Sequence, residues 1–306
     1  MNRKIFLAGL IGLSIIGQSF TADAMRYFMQ GDKPGSTTPY GNNTAIGKYQ
    51  QVGDAKLYYE VYGEGDPIFI FHGGGVGSAY ELGRIIDDLR YNYKVVVIST
   101  RGHGRSEIGN TPLTYEQKAD DMVAIMKNIT SKPAQIIGFS DGAFTAYKVA
   151  AMYPELVERI TAIGAGTLEQ GYFSGEMKVE DMQKIDKEFM NIELQIRPEP
   201  NRTQEFYTKY LNFWNKMSVG KEIFSKIKCP VLLIVGDEDD HAPIITVLEA
   251  HQLIPNSRLC VVPKAWHSAF NDNYEVVRPA IMQFVTAPID TIKGSNKVDY
   301  NSQHIK

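Results

Sequence analysis

The sequence predicts an α/β fold in which a mainly parallel sheet carries helices on both faces and a helical cap is inserted into the chain. Three observations predict it. From Pro67 to Gly166 short apolar runs alternate with helical segments, which is the rhythm of strand–helix units in a parallel sheet. Between Thr167 and Lys228 that rhythm stops and helical spacing takes over, and at Cys229 an apolar run resumes it. In between, Gly138-Phe139-Ser140-Asp141-Gly142 joins an apolar run to a helix. This is the G-x-S-x-G pattern of a sharp strand-to-helix turn that lifts a serine hydroxyl to the top of a sheet.

A chain of 306 residues can bury a large core in one domain with an insertion. The hydrophobic fraction of 43% is ordinary for a globular protein, and 11% aromatic residues provide material for pockets. A net charge of −3 excludes the broad basic surface that nucleic acid requires. Two cysteines exclude a disulfide scaffold and a Cys-rich metal site. Arg3 and Lys4 precede an apolar run from Ile5 to Ile16, and Ala22-Asp23-Ala24 follows. This order reads as a secretory signal peptide over residues 1–24, cleaved after Ala24. The apolar run is short for a membrane span, so an uncleaved anchor is the weaker alternative. The expected location is periplasmic or secreted, with no stable membrane span after cleavage and a small-molecule substrate as the partner. Oligomeric state is not legible.

Residues 25–46 are polar, rich in Gly, Pro, Asn and Thr, and read as an irregular lead. Lys48–Val52 and Ala55–Tyr62 flank Gly53-Asp54 as a β-hairpin. Pro67–Phe71 reads as a strand running into His72-Gly73-Gly74-Gly75. Such a glycine-rich loop lets a backbone N–H approach a substrate oxygen closely, and Gly74 is the expected donor. A helix over about Ser78–Arg90 and a strand over Lys94–Ile98 follow. The loop Arg101-Gly102-His103-Gly104-Arg105-Ser106 is assigned to scaffold. A helix from about Tyr115 to Asn128 places Met122, Ile125, Met126 and Ile129 on one core-facing side. Ile136-Ile137 is a buried strand, Ala143–Met152 a helix and Val157–Ala165 a strand.

In the cap, residues 167–228, Val179–Asn191 and Thr203–Lys216 read as amphipathic helices separated by Arg197-Pro198-Glu199-Pro200. Most of its aromatics (Tyr172, Phe173, Phe206, Tyr207, Tyr210, Phe213 and Trp214) pack the cap onto the core, and a minority line a pocket. The sheet resumes at Cys229–Val235, followed by a helix at Ile244–Gln252, a strand at Arg258–Val262 and a closing helix at Tyr274–Phe284. The core is thus 47–166 with 229–286, and the polar segment 287–306 is expected to be disordered. Cys229 and Cys260 belong to successive strands with an offset of several residues. At roughly 3.3 Å per residue that offset prevents a bridge, so two buried thiols are expected.

A serine hydroxyl becomes a nucleophile only when a base takes its proton. Of the six histidines, His304 is in the tail, His251 is late in a helix, and His72 and His103 sit in loops already given other roles. His241 opens a helix. His267 alone follows the last strand, where a loop can hold its ring over Ser140. A carboxylate must orient that imidazole and balance its charge. Asp237, Glu238, Asp239 and Asp240 all follow the preceding strand. The chain order is then serine, acid, histidine.

Taken together, the His72-Gly73-Gly74 loop, the R-G-H-G-R-S loop, the elbow, and the acid and histidine loops make Tyr49–Phe284 resemble an α/β-hydrolase fold protein of the capped, single-domain type. The acid loop of that family commonly reads G-x-x-D-x-x-x-P, and Gly236 with Pro243 then selects Asp239, ahead of Asp240 and Asp237. Two positions depart from the family pattern. Trp266 stands where a Gly usually precedes the histidine, and is expected to narrow that loop. Ser99 stands where an Asp often precedes the Arg-Gly loop. The S-D-G elbow resembles the branch containing valacyclovir-hydrolase-like enzymes.

The resemblance implies a serine hydrolase acting on a small carboxylic ester, or an amide, through an acyl-enzyme. Ser140 would be the nucleophile, His267 the base and Asp239 its orienting acid, with the N–H groups of Gly74 and Asp141 as the oxyanion hole. No metal or organic cofactor is called for. The same triad also serves proline-iminopeptidase-like aminopeptidases, C–C hydrolases and cofactor-free haloperoxidase-like enzymes, and a ligand-binding protein can keep the fold without turnover. The Asp141 side chain has two readings: attraction of a substrate amine, or a cap for its helix.

Overall fold

The structure, a computed structural model, describes residues 25–295; the expected leader and the end of the tail lie outside the described residues. The chain opens with a hairpin of β1 (Lys48–Val52) and β2 (Ala55–Tyr62). β3 (Pro67–Phe71) leads through a 3₁₀ turn to α1 (Gly83–Leu89). β4 (Lys94–Ile98), α2 (Tyr115–Ile129), β5 (Ala134–Phe139), α3 (Asp141–Met152) and β6 (Val157–Ile163) follow. Between β6 and β7 lie four helices: α4 (Val179–Ile185), α5 (Lys187–Ile196), α6 (Thr203–Lys216) and α7 (Lys221–Phe224). The sheet resumes with β7 (Val231–Gly236), α8 (Ile244–Leu253) and β8 (Ser257–Val262), then α9 (Ala269–Asp272) and α10 (Tyr274–Thr286).

The eight strands form one sheet in the order β1-β2-β4-β3-β5-β6-β7-β8. β1 and β2, and β2 and β4, pair antiparallel; every other neighbouring pair is parallel. β5 and β7 are buried along their whole length because both faces of the sheet there are covered. One face packs with α2, α3 and the inserted helices, and the other with α1 and α10. The parallel strands end on a common edge, where ligands of open α/β sheets bind, and the loops leaving β3, β5, β7 and β8 carry the residues described below. No helix among the described residues is long and apolar enough to cross a membrane.

Three differences from the sequence reading have local causes. The single helix expected over Val179–Asn191 is broken at Asp186, whose carboxylate accepts the Phe189 N–H at 3.1 Å and starts a new helix, α5. An Asp that bonds its own backbone favours a cap over a helix interior. Residues 287–295, expected to be disordered, pack against the domain. Ile292 is buried, its carbonyl accepts Asn256 Nδ2 at 3.3 Å, and the Lys293 carbonyl accepts Arg258 Nε at 2.9 Å. Polar composition hid the one apolar anchor. Cys229 and Cys260 are both free, but only Cys229 is buried, because Cys260 lies on the edge strand β8.

Residues 25–46 run as turns over the outside of the fold and tie its parts together. Arg26 pairs with Glu188 and, at 3.2 Å, with Asp186, which also accepts the Met29 N–H at 2.8 Å. Lys33 pairs with Asp272 in α9. Tyr40 is fully buried and donates to Asp87 at 2.8 Å.

Candidate active site

Ser140 sits between β5 and α3 with φ 51° and ψ −120°, a conformation rare for a residue with a side chain. The flanking glycines make this turn possible. A Cβ on Gly138 would lie 2.6 Å from the Gly142 carbonyl oxygen, and one on Gly142 would lie 2.1 Å from that of Phe71. The strained backbone is locked by the Ser140 N–H, which donates to the Ile163 carbonyl of β6 at 2.8 Å.

The structure brings Ser140, His267 and Asp239 into one hydrogen-bonded chain. Ser140 Oγ lies 2.8 Å from His267 Nε2. His267 Nδ1 lies 3.0 Å from both oxygens of Asp239. Asp239 is buried, and its Oδ1 also accepts the N–H groups of His241 at 2.9 Å and Ala242 at 2.8 Å. These bonds fix the carboxylate, which fixes the ring. The other acids of the cluster are placed differently. Asp240 is exposed and bonds His241 Nδ1 at 2.7 Å, and Asp237 accepts the Ala265 N–H at 3.3 Å.

The loop after β3 is held from two sides. Thr100 N–H donates to His72 Nε2 at 3.0 Å, so the ring proton is on Nδ1, which donates to the Gly73 carbonyl at 2.6 Å. Burial lowers the His72 pKa to about 4, which keeps the ring neutral. The Gly73 N–H is taken by Glu81 Oε1 at 2.7 Å, which leaves Gly74 as the next N–H of this loop. Asp141 opens α3, where an N–H has no acceptor within the helix.

The Asp141 side chain meets neither expectation. It is buried and bonds to neither its own helix nor an open pocket. Instead it pairs with Lys118 of α2 at 2.5 Å and accepts Tyr210 Oη at 2.7 Å and Trp214 Nε1 at 3.0 Å, both from α6. Lys118 also donates to Tyr210 Oη at 2.6 Å. Burial works to raise the Asp141 pKa, but the Lys118 ammonium and the hydrogen bonds from Lys118, Trp214 and Tyr210 together outweigh it and hold the carboxyl below its usual range. The charge is therefore matched within the protein, and no bare anion is left for an amine.

Sequence reading missed Lys118. The available signal was its position, because Lys118 shares the apolar stripe of α2 with Tyr115, Ala119 and Met122. Trp266, expected to narrow the histidine loop, is 57% exposed, and its N–H is held by Asp272 at 2.8 Å. Ser99 is buried in scaffold, its carbonyl accepting Ser106 Oγ at 2.7 Å. Asp239, His241 and His267 bring three potential metal-ligating atoms within 4.8 Å of one another. Both ring nitrogens of His267 are engaged, by Asp239 and by Ser140, and His241 Nδ1 bonds Asp240. The set suits hydrogen bonding better than metal binding.

Comparison with known proteins agrees with this architecture. The profile of the alpha/beta hydrolase fold family matches residues 66–188. The human serine hydrolase BPHL is 24% identical over 277 residues, spanning 86% of this chain and 94% of that protein. The 2-hydroxy-6-oxo-6-(2'-aminophenyl)hexa-2,4-dienoic acid hydrolase of Metapseudomonas resinovorans is 23% identical, spanning 82% of this chain and 94% of that one. Among solved structures, a serine hydrolase involved in carbazole degradation superposes with a TM-score of 0.67 at 21% identity, covering 78% of this chain and 98% of the other. The chain is a hydrolase with the α/β-hydrolase fold.

Proposed function

We propose that this hydrolase cleaves a small carboxylic ester through an acyl-enzyme formed on Ser140, and that the protein is exported. The observation that carries the first part is the unbroken chain from Ser140 Oγ through His267 to Asp239 at a strained elbow. His267 Nε2 takes the hydroxyl proton as Oγ attacks the carbonyl carbon. The N–H groups of Gly74 and Asp141 hold the oxyanion. Collapse expels the alkoxide, which takes the proton back from His267, and water then releases the acid by the same steps. Asp239 keeps the ring proton on Nδ1 and balances the imidazolium. Export rests on the basic, apolar and Ala22-Asp23-Ala24 order of residues 1–24.

A second reading, cleavage of a carbon–carbon bond, is favoured by the similarity to the Metapseudomonas hydrolase. One experiment separates the readings. Protein starting at Met25, and its Ser140→Ala variant, are treated with a fluorophosphonate, p-nitrophenyl esters from acetate to octanoate, and a vinylogous diketone. Labelling and ester turnover that vanish in the variant support an esterase; turnover of the diketone alone supports the second reading. Absence of labelling in folded protein overturns both. Export is tested by fractionating cells that express the full chain and sequencing the N-terminus, with mature protein starting at Met25 as the expected result.

A further inference from the structure

We infer that Tyr210 and Trp214 are positioning residues for the oxyanion hole, and that the buried Lys118–Asp141 pair holds them there. The inference rests on the proposed acyl transfer at Ser140. The Asp141 carboxylate is the meeting point of three helices: its own α3, α2 through Lys118, and α6 through Tyr210 and Trp214. Its partners are buried or nearly so, and each polar head points at the carboxylate or at a group bound to it. A cap helix bonded this way is pinned to the residue that follows the nucleophile.

The same two aromatics close over the opposite donor. A Cβ at Gly74 would lie 2.5 Å from Trp214 Cζ2 and 2.7 Å from Tyr210 Cε1. A side chain at this position would therefore push the two cap aromatics out of place. Tyr210 also packs edge-on against His103 at 5.3 Å, and His103 packs against His72 at 4.8 Å, whose Nδ1 bonds the Gly73 carbonyl. Two packed routes thus run from α6 to the Gly73–Gly74 loop. The side chain of Asp141 sets the place of the loop that carries Gly74, while the backbone of Asp141 offers the other donor. Donor placement matters because the hole acts on charge that develops only in the transition state.

The test uses Tyr210→Phe, Trp214→Phe and the double variant Lys118→Met with Asp141→Leu. Tyr210→Phe keeps the packing and removes only the hydroxyl, Trp214→Phe removes both the indole N–H and the Cζ2 contact over Gly74, and the double variant removes the charged pair together, a change proteins often tolerate. Rates on p-nitrophenyl acetate, inhibition by a trifluoromethyl ketone that forms a tetrahedral adduct, and thermal midpoints are measured. The expected result is a fall in kcat of about 10-fold or more with KM within about 2-fold, which marks an interaction made only in the transition state. The ketone should weaken by the same factor as kcat/KM. A rise in KM with kcat intact would reduce the aromatics to pocket walls and overturn the inference, as would unchanged kinetics in a folded variant. If one variant fails to fold, the others decide. Fluorophosphonate labelling of Ser140 in wild-type protein is measured alongside; its loss would strike the esterase reading itself, a result distinct from a normal kcat in the variants.

Discussion

His267 Nδ1 lies 3.0 Å from both oxygens of Asp239, and Asp239 Oδ1 is already held by two backbone N–H groups. An amide in place of this carboxylate keeps the shape but offers an N–H to a ring nitrogen that must itself donate. Asp239→Asn is expected to fold and to lose about 10³–10⁴ in kcat on a p-nitrophenyl ester, the scale seen when a triad acid forces the wrong tautomer. Asp240→Asn removes only an exposed partner of His241 and should stay within about 2-fold.

Lys118 and Asp141 form a buried pair, and breaking one side leaves the other charge uncompensated. Lys118→Met should lower unfolding free energy in urea by about 3–5 kcal/mol, and adding Asp141→Leu should restore most of it. Because Lys118 already matches Asp141, wild-type enzyme should hydrolyse a neutral acyl ester at least as fast as its α-amino analogue. A clear preference for the amine would show that the carboxylate still reaches substrate.

Burial pushes the Glu81 carboxyl up to about 8 from its ordinary 4.5 while its Oε1 holds the Gly73 N–H. For a folded-state pKa raised in this way, the stabilising contribution is complete below 4.5 and is lost as pH rises through about 8. Denaturation across that window should show stability declining with pH. Glu81→Gln, which keeps an oxygen for Gly73, should flatten the decline; an unchanged slope would place its origin elsewhere.

Asp186 caps α5 and receives both Met29 N–H and Arg26 from the N-terminal lead. Asp186→Ala should destabilise the protein by about 1–2 kcal/mol, the range of a lost cap with its neighbouring bonds. Limited proteolysis should then cut first within the inserted helices. Cleavage at the same sites and rate as wild type would mean the lead does not secure them.

Cys260 pairs in register with Ile234, so Cys229 lies about 16 Å back along the chain at roughly 3.3 Å per residue. Thiol titration of unfolded protein purified under oxidising conditions should find two free thiols. In the native state Cys229, whose pKa burial pushes up to about 12, should react far more slowly than in the unfolded chain.

Most elements were legible because their signals are local. Short apolar runs marked β3, β4 and β7, and the glycines around Ser140 marked the elbow because a side chain there would strike the neighbouring backbone. The helix boundary at Thr203–Lys216 was readable from amphipathic spacing alone. The break at Asp186 was not, because the spacing of apolar residues continues through it while one side-chain bond ends the helix.

The resemblance to a G-x-x-D-x-x-x-P acid loop, matched at Gly236 and Pro243, picked Asp239 from four neighbouring acids, and the folded chain places that same carboxylate against His267. The partners of Asp141 were beyond reach. Lys118, Tyr210 and Trp214 lie 23, 69 and 73 residues away, and nothing in their own neighbourhoods announces a shared carboxylate. Periodicity and turn chemistry act over a few residues, so they decide strands, helices and the elbow. Which charge is buried against which, and what the cap presses upon, depends on how distant segments pack, and only the folded chain decides it.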